Sequence, residues 1–198
     1  MSRRRVMMSK ERMVAFSDGV IAVIITIMVL ELKVPHGTDL SALEPLFPVF
    51  SSYVLSFLYV GIYWNNHHHL LQVAEYVNGS ILWANLHLMF WLSLIPFTTA
   101  WLGENHAAAV PVAVYGIVLL LSAIAYTILN AALIGNHQPD TLIAKSAGVG
   151  LKGMLSILCY VTAIVLAYWS PWSAIALYGL VAFSWLIPER QIERELAH

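Results

Sequence analysis

Arg12-Met13-Val14-Ala15-Phe16-Ser17-Asp18-Gly19-Val20 runs on without another charge to Glu31, long and apolar enough to cross a bilayer. Its first third nevertheless carries a serine, an aspartate and a glycine. A carboxylate at membrane depth costs about 2.5–3.5 kcal/mol on insertion scales, so Asp18 needs a partner or an aqueous cavity. Such a residue reads as functional by default, and the rest of the chain has to supply its partner.

The chain around it has 198 residues, 60% of them hydrophobic and 11% charged. Soluble domains carry about 25% charged residues, so a soluble protein of this composition would have little surface to show water. The single cysteine, Cys159, lies in an apolar run, which excludes a disulfide framework and a cysteine metal site. No signal peptide is expected: the basic start leads into a long helix without a small-residue cleavage site. The length suits one domain, 1–198.

Six stretches can span a membrane, near 13–33, 46–74, 79–102, 107–134, 146–169 and 172–188. Short connections with turn formers join them: Pro35-His36-Gly37, Asn78-Gly79, Gly103-Glu104-Asn105, Asn136-His137-Gln138-Pro139-Asp140 and Ser170-Pro171. The fold class is therefore an all-α membrane protein with six transmembrane helices. With six crossings, Arg3, Arg4, Arg5, Lys10, Arg12, Lys145, Lys152, Arg190 and Arg194 share one side, and Lys33 stands on the other. The positive-inside rule then puts both termini in the cytoplasm. Trp101, Trp169 and Trp172 fall near the outer interface, where indoles are enriched. The closing Glu189-Arg190-Gln191-Ile192-Glu193-Arg194-Glu195 mixes signs as a solvated helix end does.

Span two ends in Trp64-Asn65-Asn66-His67-His68-His69. Asp18 lies about 9 Å from Arg12, and the histidines about 9–12 Å from Glu75, at the helical rise per residue. Ser17, Asp18 and the Asn/His patch therefore share a depth on the same side. A hydrogen-bonded network between spans one and two would satisfy them, and it is the expected partner of Asp18. Three consecutive histidines point about 100° apart on a helix and cannot converge on one ion. Hydrolase chemistry has no support: Ser17 and Asp18 are neighbours, and no Gly-x-Ser-x-Gly elbow occurs. Asn85, His87, Tyr126 and Asn130 are isolated polar residues of spans three and four, expected to make interhelical contacts. Tyr115-Gly116 and Tyr178-Gly179 lie inside spans, where they serve packing rather than a carbonyl-lined filter.

At 100° per residue, Val23, Thr26, Ile27 and Leu30 fall on one stripe of span one, while Asp18 points almost the opposite way. Periodicity alone gives that stripe no function; a lipid-facing or core-facing stripe has the same pattern.

Arg12-x-x-x-Phe16-Ser17-Asp18-Gly19-x-x-Ala22-x-x-x-Thr26 resembles the signature of the transmembrane protein 175 family, lysosomal potassium channels in animals with single-repeat relatives in bacteria and archaea. Glu31 and the Trp64-x-x-His67 region are also similar to the family, and six spans match a prokaryotic single-repeat member over the whole chain. The resemblance implies a homotetramer in the prokaryotic plasma membrane with a central pore lined by span one. It implies apolar constriction rings at Val23, Ile27 and Leu30, and a polar ring at Thr26 associated with potassium preference. It also implies a buried structural network of Arg12, Phe16, Ser17 and Asp18 with Trp64, Asn66, His67 and His68. Family members usually carry a bulkier residue at the position of Val23, which leaves the tightest ring open among the three.

The resulting expectation is a potassium-preferring cation channel, not an enzyme. Its partners are further copies of itself, the lipid bilayer, and potassium and other monovalent cations as permeant species. No cofactor, resident metal or nucleic acid is expected. The alternatives are a proton-conducting or proton-coupled transporter using Asp18 and His67–His69, and a membrane enzyme built on the histidine cluster.

Overall fold

The computed structural model describes residues 10–72, 74, 76–136 and 151–186. Among them the protein is helical throughout, with no strand. The elements are α1 (Lys10–Leu30), a short 3-10 helix (Leu40–Leu46), α2 (Phe47–Gln72), α3 (Gly79–Ser93), α4 (Ile95–Glu104), α5 (Ala109–Asn136), α6 (Leu151–Leu166) and α7 (Pro171–Leu186). Four helical runs, Lys10–Leu30, Leu40–Gln72, Gly79–Glu104 and Ala109–Gly135, are long and apolar enough to cross a bilayer. The described parts of α6 and α7 are apolar but shorter, at 16 residues each. Several residues behind the orientation argument lie outside the described residues: Glu75, Arg3, Arg4, Arg5, Lys145, Arg190 and Arg194.

The third stretch is two helices rather than one. Pro96, near the start of α4, has no N–H to give the preceding turn, and its ring crowds the carbonyl four residues back. The chain answers by ending α3 at Ser93 and restarting through Leu94, still near helical geometry at φ −87°, ψ −10°. Asn78 starts α3 as a side-chain cap, its Oδ1 accepting from the Ile81 amide at 3.0 Å and from Ser80 Oγ at 2.7 Å. At the other end the chain reverses through His106 and Ala107, both left-handed at φ 47° and 59°.

Two contacts tie α1 in place at its ends. Lys10 donates to the carbonyls of Gln72, at 2.9 Å, and Ala74, at 2.8 Å. The ammonium thus meets the negative end of α2 and satisfies carbonyls that the helix leaves open. Past the other end, Lys33 Nζ pairs with Glu104 Oε1 at 2.6 Å. That hydrogen bond holds the Lys33 ammonium above its ordinary pKa. Both side chains are exposed, so the pair positions more than it stabilises.

The bundle core contains a satisfied polar layer. Thr99 Oγ1 approaches Ser56 Oγ at 2.6 Å, and Ser56 meets the Tyr115 hydroxyl at 3.0 Å. Tyr59 donates to the Tyr178 carbonyl at 2.7 Å, and Tyr178 to the Val112 carbonyl at 3.2 Å. The Tyr115 and Tyr178 rings are buried edge to face, 5.7 Å apart. Gly116 leaves the space into which the Tyr178 hydroxyl reaches, and a Cβ there would collide with it. Tyr115, Gly116 and Tyr178 thus pack α5 against α7, while Gly179 has nothing near the position of a Cβ.

Candidate permeation face and its supporting network

Helix α1 has two faces of different character. Met13, Ser17, Ile21, Ile24 and Met28 are buried against the protomer. Their spacing of three and four residues marks the stripe that holds the helix to the bundle. On another face Phe16, Val23, Ile27 and Leu30 are 50%, 55%, 42% and 75% exposed, and Thr26 is exposed with them. Arg12, Gly19 and Ala22 are exposed along the same line. Among the described residues, nothing covers Val23, Thr26, Ile27 and Leu30. Thr26 Oγ1 donates to the Ala22 carbonyl at 2.8 Å, which occupies its proton and leaves its lone pairs free.

Behind that face lies a buried hydrogen-bonded cluster. Ser17 Oγ donates to the Met13 carbonyl at 2.9 Å, so it can only accept from Asn85 Nδ2, also at 2.9 Å. The Asn85 Oδ1 then faces His67 Nε2 at 2.7 Å, which places a proton on that nitrogen. Ser17, Asn85 and His67 are at most 1% exposed, and they come from α1, α3 and α2. Asp18 lies at the edge of this cluster, accepting from Trp64 Nε1 at 3.1 Å. His68 stacks on Trp64 with ring centroids 5.9 Å apart.

The structure thus brings Ser17 together with His67, and Asp18 with Trp64 and His68. It does not bring in Arg12 or Phe16, which lie on the uncovered face. Asn66 stands outside the cluster as well, its backbone carbonyl accepting from the Tyr126 hydroxyl at 3.4 Å. His67 points into the bundle while His69 is exposed, so the three histidines do not converge. Asn85, expected only as an isolated interhelical contact, is the hub that joins three helices. Its depth could have marked it: seven residues from Asn78, it lies about 10 Å in, level with Ser17. Two other isolated polar residues depart from the expected interhelical contact. His87 bonds within its own helix, accepting from Trp91 Nε1 at 2.8 Å. Asn130 buries its Oδ1 with no hydrogen-bond partner among the described residues.

Residues 12–96 match the family model described as the endosomal/lysosomal potassium channel TMEM175. A potassium channel of Chryseobacterium sp. (strain P1-3) is 54% identical over 189 residues, covering 96% of this chain and 98% of the relative. The crystal structure of a lysosomal potassium-selective channel TMEM175 homolog from Chamaesiphon minutus superposes with a TM-score of 0.75 at 29% identity, over 89% of this chain and 96% of that one. The human endosomal/lysosomal proton channel TMEM175 is 26% identical over 192 residues, 86% of this chain but 37% of the human protein.

Proposed function

The chain belongs to the TMEM175 family of ion channels, and we propose that four copies of it enclose a potassium-preferring pore lined by the uncovered face of α1. It is an integral membrane protein and not an enzyme. Its relatives named as potassium channels support potassium as the permeant ion, beside other monovalent cations. The observation that carries the pore reading is the stripe of Val23, Thr26, Ile27 and Leu30, branched and uncovered along a spanning helix. One stripe cannot enclose a path, so symmetry copies must complete it. In such a ring Thr26 offers oxygen lone pairs to a partly dehydrated cation, and the three apolar rings exclude water in the closed state. Val23, Ile27 and Leu30 share the constriction; which ring is tightest depends on the approach of the four helices. The cluster of Ser17, Asn85 and His67, with Asp18 and Trp64 beside it, holds α1 against the bundle so that the stripe stays turned inward. Both termini face the cytoplasm in this reading, in accord with the basic residues of the sequence.

The human relative's name raises a proton pathway through Asp18 and the span-two histidines as a second reading. The geometry speaks against a relay there. Trp64 Nε1 only donates, so it cannot take up and pass on a proton, and Asn85 is an amide.

Planar-bilayer recording with potassium on one side and sodium on the other separates these readings. The expected wild-type current is passive and reverses near the potassium potential. Thr26→Val keeps the shape and removes the hydroxyl, so its reversal potential should move towards zero at unchanged expression. A reversal potential that follows an imposed pH gradient instead supports the proton reading.

A further inference from the structure

Two polar side chains that point away from the protomer lie too deep for comfort in lipid. His87 on α3 is exposed, eight residues in from Gly79, or about 12 Å at the helical rise. Asn65 on α2 is exposed, seven residues in from Gln72, or about 10 Å. The two helix ends are joined by the short connection 73–78 and lie on one side of the membrane, so the two residues share a level. Ionisable and strongly polar residues at such depth almost always face protein or water rather than acyl chains.

Their hydrogen-bonding capacity is also open. Trp91 Nε1 can only donate, so His87 Nε2 must accept, and the neutral ring carries its proton on Nδ1. No described residue accepts from that N–H, and none pairs with the Asn65 amide. A donor and an acceptor are thus left over at one depth.

They sit on the two flanks of α1. Trp64, next to Asn65, bonds Asp18 on one side of the pore helix. On the other side Met13 and Phe16 of α1 form a cleft of about 320 Å³ with Leu82, Trp83, Asn85 and Leu86 of α3. The outward face of α3 continues from that cleft through Trp83, Phe90 and Phe97, 75%, 54% and 63% exposed. A cyclic assembly is heterologous: one flank of each copy meets the opposite flank of the next. With α1 at the axis, the α3 flank of one copy faces the α2 flank of its neighbour.

We infer that the occupant of the outward α3 face is a second copy of this chain, and that His87 Nδ1–H donates to the Asn65 side-chain carbonyl of the neighbouring copy. The inference rests on the assembly proposed above and adds to it the seam and the hydrogen bond that closes it. In a Cys159→Ser background, chains carrying Asn65→Cys alone and chains carrying His87→Cys alone are co-expressed with different tags. A short bis-thiosulfonate crosslinker is then added in native membranes. A denaturing gel should show a covalent dimer containing one chain of each kind, with little product from either variant alone. Leu30→Cys is run in parallel, because neighbouring copies of that residue meet at the axis. Dimers from Leu30→Cys without the mixed Asn65/His87 dimer overturn the seam and leave the central pore standing. Failure of both overturns the seam and the four-fold pore together. A second readout does not need cysteines. His87→Leu and Asn65→Leu should each lower the temperature at which the purified assembly dissociates, and the double variant should lose no more than the worse single one. Additive losses overturn the hydrogen bond.

Discussion

Ile27→Asn should raise cation conductance about tenfold and weaken potassium preference, since lowering a barrier by about 1.4 kcal/mol is worth a factor of ten in rate. Ile27 stands on the uncovered face of α1, one turn beyond Val23 and beside Thr26. An apolar ring at that level keeps water out of a narrow path, and a cation cannot follow where water does not go. Asparagine is smaller than isoleucine in branching and carries an amide that water can solvate. In the proposed ring of four copies, amides in place of butyl groups wet the constriction. The selectivity cost follows from the same change: a wider, wetter ring lets sodium pass with more of its hydration shell. Single-channel recording under symmetric potassium, then under a potassium/sodium gradient, reads both effects. Wild-type conductance and reversal potential in this variant would remove Ile27 from the path.

Asn85→Leu should lower the melting temperature of the assembly sharply, more than any single change on the uncovered face of α1. An interhelical hydrogen bond in a membrane protein is worth only about 0.6 kcal/mol on average, so the lost bonds themselves are a small part of the effect. The larger part is what they leave behind. His67 Nε2–H is buried and loses its acceptor, an orphaned donor that costs about 1–3 kcal/mol, while Ser17 Oγ keeps its bond to the Met13 carbonyl. The sign of a second substitution separates these causes. Adding His67→Phe removes that orphan, so the double variant should recover part of the loss. Thermal unfolding followed by loss of the assembled peak on size-exclusion chromatography measures this. Equal stability of wild type and Asn85→Leu would show that the cluster does not hold α1 to the bundle.

The sequence was most legible where a membrane leaves few choices. A backbone with no water to bond must be helical or close into a barrel, and apolar stretches of about 20 residues, twice what a strand needs, already specify an all-α membrane fold. The stripe of Val23, Thr26, Ile27 and Leu30 was likewise readable from helical period alone, and the uncovered face of α1 carries these residues together. What period could not tell was that this face lacks a partner within the protomer, because an apolar stripe looks the same against core, lipid or a copy. Depth arithmetic brought Ser17 and His67 to one level but passed over Asn85, which a single asparagine in an apolar run does not advertise. The break at Leu94 was signalled by Pro96, yet a proline near mid-span is compatible with a kink or with two helices. Arg12 and Phe16 mark where the motif and the protomer part: both belong to the signature, and both lie on the uncovered face, outside the hydrogen-bonded cluster.

Cysteine accessibility during conduction tests directly whether ions run along this face of α1. In a Cys159→Ser background, single cysteines replace Val23, Thr26, Ile27 and Leu30 on the uncovered face, and Ile21, Ile24 and Met28 on the buried one. A small cationic thiol reagent is then applied to open channels in a bilayer. Modification at 23, 26, 27 and 30 should block the potassium current within the recording, and the three buried positions should leave it unchanged. Block at 21, 24 and 28, with a current indifferent to cysteines at 23, 26, 27 and 30, would contradict a pore lined by the uncovered stripe.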